Sequence, residues 1–224
     1  MKKLSKGLIP VLLGVALIFA GCSSLNRTQK GAMTGTAAGA AIGSVAGRTA
    51  GNTALGTVIG AAVGGTAGAI IGRQMDKQAE EIEANVPGVE VVRVEEGIIV
   101  EFSNNVLFGF DKSDLSNAAK SNLDKLVVVL NNHEETDIEI QGHTDSKGSE
   151  SYNQQLSVQR ASRVSDYLIA KGISRNRVTT KGFGEMLPKY LNDTEGSRDK
   201  NRRVEFMITA NETMKSQAEE QAGK

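Results

Sequence analysis

Asp145 and Arg160 are the two residues of this 224-residue chain whose types and spacing pose a chemical problem. They lie in the stretch GHTDSKGSESYNQQLSVQR, where an acid opens a loop and the loop runs into a segment of helical period. Counting about 100° per residue from Asn153, Arg160 falls roughly 20° away, flanked by Leu156 and Tyr167 on one side and by Val164 and Leu168 on the other. Asn153 and Arg160 therefore centre the arc predicted to face the rest of the fold, with Arg163 towards its edge. A guanidinium in that place needs acceptors, because an unpaired buried charge is very costly. Asp145, closing the strand-like run DIEIQGHTD, is either its structural partner or the opposite pole of a site.

Other reactive side chains are sparse. His143 and Asp145 form an HxD pair, but no second His or Cys cluster completes a metal site, and His133 in NNHEE sits at a helix end where capping is the ordinary role. Cys22 is the single cysteine, so a disulfide within the chain is excluded. No GxSxG motif, paired-carboxylate site or phosphate loop is visible, and Gly182 and Gly184 in KGFGE read as turn residues. An enzyme is not expected, and no cofactor or metal is implied. The formal net charge of zero gives no support for nucleic-acid binding, which needs surplus Lys and Arg.

The elements that must position Asp145 and Arg160 follow from periodicity. VEVVRV, GIIVEF, DIEIQG, RVTTKGF and RRVEFMIT read as strands, while SNAAKSNLDKLVVVLNN places Ala119, Leu123, Leu126, Val127 and Leu130 on one helical face. Together with the helix that carries Arg160, this predicts an α+β domain, a two-layer sandwich of helices packed on a mixed sheet.

Upstream the composition changes. Glycine recurs every fourth position from Gly31 to Gly51 and again from Gly56 to Gly72, with Arg48 the only charge between Gly31 and Ile71. Such a stripe forms a groove that accepts another helix backbone, and RTAGNTAL marks a turn, so 31–72 reads as a helical hairpin. A low-complexity Gly/Ala spacer is the alternative. Each helix would be about 26 Å long at 1.5 Å per residue, slightly short of a bilayer core of about 30 Å. The charged stretch 73–94 reads as a linker, in which helix formers carry the second helix on into water until Pro87 and Gly88 end it, and 211–224 reads as a polar, mobile tail.

The first residues, MKKLSKGLIPVLLGVALIFAGC, combine a basic head, an apolar run and small residues directly before Cys22, the pattern of an export signal over 1–21. They resemble a bacterial lipoprotein signal, with Phe19 where leucine is usual. The resemblance implies a diacylglycerol and further acyl chains such as palmitate on Cys22, a lipidated tether over 22–30 and, with Ser23 and Ser24 following, an outer-membrane location. The glycine ladder likewise resembles the glycine-zipper regions of outer-membrane lipoproteins.

The string GHTDSKG, YNQQLSVQRASRVSDYL, KGFGEMLP and GSRDKNRRVEF resembles the OmpA-like C-terminal domain over roughly residues 95 to 210. That family binds peptidoglycan. The resemblance implies that Asp145 takes the ammonium and Arg160 the carboxylate of a diaminopimelate residue in the stem peptide. It further implies amide hydrogen bonds from Asn153 at the helix start, Arg202 at the rim, a ligand contact from Asp111, and hydroxyl or backbone groups from Thr144. Asp111 in FDKSDLS reads equally as a turn acid. The expected function is a non-catalytic tether between outer membrane and cell wall, with the domain in the periplasm. The alternative makes the glycine hairpin the working part, a membrane homo-oligomer or assembly factor for which the wall-binding domain is an anchor.

Overall fold

A computed structural model of the chain describes residues 65–94, 97–108 and 113–223. The signal-like stretch, Cys22, the glycine ladder up to residue 64 and Asp111 lie outside the described residues. Among the described residues, no helix is long and apolar enough to cross a membrane.

Helix α1 (Gly65–Asn85) leads into strands β1 (Val89–Val94) and β2 (Gly97–Ser103). A single helical turn, α2 (Asn104–Leu107), follows, then α3 (Asn117–Asn132), β3 (Thr136–Gly142) and α4 (Glu150–Ala170). The remaining elements are β4 (Val178–Gly182), the short α5 (Glu195–Asn201), β5 (Arg203–Ala210) and α6 (Glu212–Ala222). Helices start where short polar side chains take up free backbone amides. Ser116 accepts from Ala119, Ser149 from Tyr152, Thr194 from Ser197 and Asn211 from Met214.

The sheet runs β1-β2-β5-β3-β4. Its first four strands pair antiparallel, and β3 pairs with β4 in parallel, which requires a crossover that α4 supplies. Period-two alternation directs Ile98, Val100 and Phe102 of β2, Val204, Phe206 and Ile208 of β5, and Ile138 and Ile140 of β3 into one core with the helices. Phe102 and Phe206 meet there with ring centroids 5.2 Å apart at 55°. The opposite face carries Ile99 and Met207 among charged residues. This is the expected two-layer α+β arrangement on a mixed sheet.

Two boundaries differ from expectation. The stretch 73–94 is not a linker. The helix expected there is α1 and the strand VEVVRV is β1, but the helix does not run out into water: Ile71, Met75, Ala79 and Ile82, spaced four, four and three, are buried in the core. The charges conceal that stripe because they occupy the solvent face of the same helix. Arg93 of β1 reaches back to Asp76 at 2.9 Å. Nor is 211–224 a loose tail, since α6 buries Met214 and Ala218 and packs along α1. The glycine ladder therefore runs into the domain: Gly68 and Gly72 lie on α1.

Two buried polar side chains contrast. Arg177, placed by the 3-10 turn Arg175–Arg177, donates to the carbonyls of Leu130, His133 and Thr136, closing the end of α3. His133 also meets Glu81 of α1 at 2.9 Å. Gln78 on α1 is fully buried, and neither its amide nitrogen nor its oxygen has a partner among the described residues.

Gln78→Met is expected to stabilise the protein by about 1 kcal/mol by removing unpaired polar atoms while keeping the shape, a rise of roughly 2–4 °C in Tm. Thermal melts of the two proteins check it. A chain starting at residue 89, which lacks Ile71, Met75 and Ile82, is expected to lose cooperative unfolding in denaturant, whereas one starting at residue 65 retains it.

Candidate functional site

The C-terminal ends of β2, β3 and β4 and the start of β5 converge at one end of the sheet. Helix α4 crosses this end at unusually close range. Gly142 and Gly182 stand opposite each other in the β3–β4 register. A Cβ on Gly142 would run into the Ser157 carbonyl, and one on Gly182 would lie 2.5 Å from Val158 Cγ2 and 2.6 Å from the Val158 nitrogen. Gly182 is thus a contact residue rather than the turn residue expected, while Gly184, at φ 52°, does make the turn.

Past Gly142 the ladder to β5 continues for one bond, from the His143 amide to the Arg203 carbonyl at 3.0 Å. Thr144 then switches partner, its amide donating to the Gly184 carbonyl at 2.8 Å, and the chain turns away from the sheet. Asp145 accepts the Lys147 amide on Oδ1 at 2.9 Å, an Asx turn. Asn153, buried in the first turn of α4, donates its amide to the carbonyls of Asp145 at 3.2 Å and Lys147 at 3.1 Å, and to Glu185 at 2.5 Å. Its position on the inward arc of the helix is as read from the spacing. Its work is to fasten the loop that carries Asp145.

The ion pair of Asp145 is with Arg202, whose guanidinium meets Asp145 Oδ2 at 2.5 Å. The same guanidinium meets Asp199 at 2.8 Å and Glu195 at 3.1 Å, both on α5. Burial works against the Arg202 charge, but the hydrogen bonds from Asp145, Asp199 and Glu195 outweigh it and raise its pKa. Glu195 is drawn down to about 2 by Lys147, Arg198 and Arg202 in turn. Arg202 thus links Asp145 to the two acids of α5.

Arg160, only 3% exposed, stacks its guanidinium over the Phe108 ring at 5.4 Å, while Arg163 is exposed, as the helical arc requires. Thr144 is buried, with its amide engaged and its hydroxyl without a partner among the described residues. The structure thus gathers Asp145, Asn153, Arg202 and Thr144 by direct contacts, and sets Arg160 on the same helical arc as Asn153, against Phe108. Asp111 belongs to the undescribed stretch after Phe108. Among the described residues, no group of three or more His, Cys, Asp or Glu is arranged to hold a metal.

Sequence reasoning missed Phe108, Glu185, Glu195 and Asp199. The string NDTEGSRDKNRR gave one clue: Thr194 followed by Glu195 is a helix entry, and it predicts α5. Nothing local in the sequence points to Phe108.

Residues 107–202 match the model of the OmpA family, and residues 1–76 match that of the YMGG-like Gly-zipper. The probable lipoprotein YiaD of Escherichia coli is 35% identical over 122 residues, covering 54% of this chain and 56% of YiaD. The peptidoglycan-associated lipoprotein of Pasteurella multocida is 38% identical over 101 residues, covering 45% of this chain and 67% of that protein. Among solved structures, a MotB-like protein from Desulfovibrio vulgaris superposes with a TM-score of 0.57 at 27% identity, covering 62% of this chain and 91% of that one. The chain spans only 14% and 36% of two other curated relatives, so the likeness is that of a module found in larger proteins.

Asn153→Ala removes the side chain that fastens the loop and leaves the buried Asp145 carbonyl and the more exposed Lys147 carbonyl short of a donor. At roughly 1 kcal/mol per hydrogen bond it is expected to cost about 2–3 kcal/mol. Chemical denaturation measures the cost, and faster amide exchange at Lys147 than in the parent protein is the local sign.

Proposed function

The chain belongs to the OmpA family, and from that premise we propose that it is a non-catalytic peptidoglycan-binding lipoprotein, tethering the outer membrane to the cell wall. The ligand is the diaminopimelate residue of the stem peptide, whose ammonium and carboxylate go to Asp145 and Arg160. The observation that carries this reading is the placement of two nearly buried charges, Asp145 at 6% exposure and Arg160 at 3%, on a loop and a helix at one end of the sheet. Burying charged groups is costly, and a pair kept apart on separate elements is suited to a zwitterion that brings the complementary charges.

Arg202 holds the Asp145 carboxylate from one side, leaving the other to face the ammonium. When the ligand arrives, Glu195 and Asp199 still hold Arg202, so its charge never lacks a partner. Asn153 and Thr144 define where the Asp145 carboxylate lies, and Asp111 adds a further polar contact. Arg160 offers a planar fork that matches a carboxylate, and Phe108 holds that plane. Acyl chains on Cys22 anchor the chain in the outer membrane with the wall-binding domain in the periplasm. The names of two relatives, a lipoprotein and a peptidoglycan-associated lipoprotein, support both halves of this reading.

A second reading rests on the Gly-zipper match over residues 1–76 and on the passage of that ladder into α1. In it the glycine segment assembles copies of the chain in the membrane, and the wall-binding domain localises the assembly.

Sedimentation of the detergent-solubilised full chain with purified diaminopimelate-type sacculi tests the leading reading. Wild type is expected to pellet with the sacculi. Asp145→Ala and Arg160→Ala, folded by circular dichroism, are expected to stay in solution with affinity lowered at least about tenfold, the loss of one buried charged contact. Equal pelleting of both variants and wild type would sink the zwitterion clamp, and detergent-stable oligomers without any sacculus binding would favour the second reading.

A further inference from the structure

His143 has no role in gripping the ligand, yet it is fully buried and directly precedes Thr144 and Asp145. Its ring stacks on Phe183, with centroids 5.4 Å apart and planes 17° from parallel. Neither ring nitrogen has a hydrogen-bond partner among the described residues. Among the described residues, Glu205 of β5 places a carboxylate beside it: Oε2 lies 3.9 Å from His143 Nε2 and has no hydrogen bond there. Glu205 is 3% exposed, and its other oxygen receives Arg203 Nε at 2.6 Å.

The same face holds further charged groups. On the β2 side, Glu101 lies 3.8 Å from Arg203 and is bridged by Lys189 of the covering segment at 2.8 Å. On the β3 and β4 side, Glu139 pairs with Lys181 at 2.7 Å and accepts a hydrogen bond from Gln141 Nε2, while Gln141 Oε1 has no partner among the described residues.

The segment that covers His143 is the one that fastens the ligand loop. The Phe183 amide donates to the Gly142 carbonyl, the Gly184 carbonyl receives the Thr144 amide, the Gly184 amide is held by Ser157 Oγ, and Glu185 receives Asn153. We propose that His143 is a positioning residue: as the neutral ring it seats Phe183–Glu185 and hence the Asp145 loop, and on taking a proton it turns to Glu205, unseats that segment and releases the ligand. This rests on the binding reading above.

The mechanism follows from the two available partners. A neutral imidazole keeps the stack and tolerates Arg203 beyond Glu205. A proton on Nε2 makes a cation in a dry site, and closing 3.9 Å to a hydrogen bond of about 2.9 Å draws the ring roughly 1 Å towards Glu205 and off Phe183. Burial first, and Arg203 second, hold the His143 pKa well below its ordinary 6.5. The sign is therefore fixed. The unfolded chain takes the proton before the folded one does, so the stability contributed by neutral His143 is complete above pH 6.5 and is lost as pH falls below it.

The test compares the full chain with His143→Phe, which keeps an aromatic ring for the stack and cannot be protonated, and with Glu205→Gln, which removes the charge that attracts the imidazolium. Sacculus affinity is measured from about pH 7.5 to about pH 4.5, with circular dichroism at each step, and backbone amide resonances of Thr144, Asp145 and Asn153 are followed in parallel. Wild type is expected to lose affinity at up to about tenfold per pH unit below the His143 midpoint, beyond the loss of His143→Phe, in which carboxylates alone titrate. The three amide resonances should move with the His143 ring in wild type and not in His143→Phe, and in Glu205→Gln the change should shift to lower pH. An identical pH profile for wild type and His143→Phe, or amides indifferent to the ring's titration, overturns the proposal. Absence of sacculus binding at any pH sinks the wall-binding reading instead, and the amide resonances still decide the role of His143.

Discussion

Helix α4 can lie against the ends of β3 and β4 only because Gly142 and Gly182 present no side chain to it, and the remainder of the site hangs on that approach. At this distance Ser157 reaches the Gly184 amide, Gln154 reaches the Gly182 carbonyl at 2.8 Å, and Asn153 reaches the carbonyls of the Asp145 loop. One turn further from the sheet, those side chains would end in water and the loops would lose their common support. The interior is close-packed, so such a contact is either made or absent, with little in between. Two adjacent glycines in the register thus set the geometry of a loop neither of them belongs to.

Charge is managed differently on the two sides of this end. Around Asp145 one guanidinium serves three carboxylates, the two on α5 exposed and Asp145 itself buried. Shared pairs can exchange partners at small cost, which suits a place where a charged ligand must enter. On the far face of the sheet the groups are more deeply buried and more constrained. Burial raises the pKa of Glu101 despite Lys189 and Arg203, and Glu205 sits opposite both Glu101 and Gln141 in the register. That face gains rigidity from its pairing, and it loses tolerance for any added charge.

The legible parts of the fold were those written in period. Alternation in GIIVEF and RRVEFMIT marked β2 and β5, and the arc through Asn153, Arg160, Val164 and Leu168 marked the buried side of α4. The illegible parts were of two kinds. In α1 the stripe of Ile71, Met75 and Ile82 was masked by glycines before it and by acids and lysines around it, so composition hid the period. At the site, Asp145 and Arg160 were found from spacing and resemblance. Their neighbours Phe108, Glu185 and Glu195 come from segments far apart in the chain, and contacts between them are set by topology. Arg202 and Arg203 illustrate this: adjacent in sequence, they point to opposite sides of the sheet's end, one to Asp145 and the other to Glu205.

The burial of α1 has a mechanical corollary. A helix that emerges from the glycine ladder and then inserts Ile71, Met75, Ala79 and Ile82 between the sheet, α3 and α6 leaves no swivel between Gly65 and the sheet. Any pull entering at Gly65 is delivered to the domain's own core, through α1 and the neighbouring strand β1. The strength of the connection is then the strength of the fold itself, and the orientation of the sheet is carried along the helix axis to whatever holds its other end.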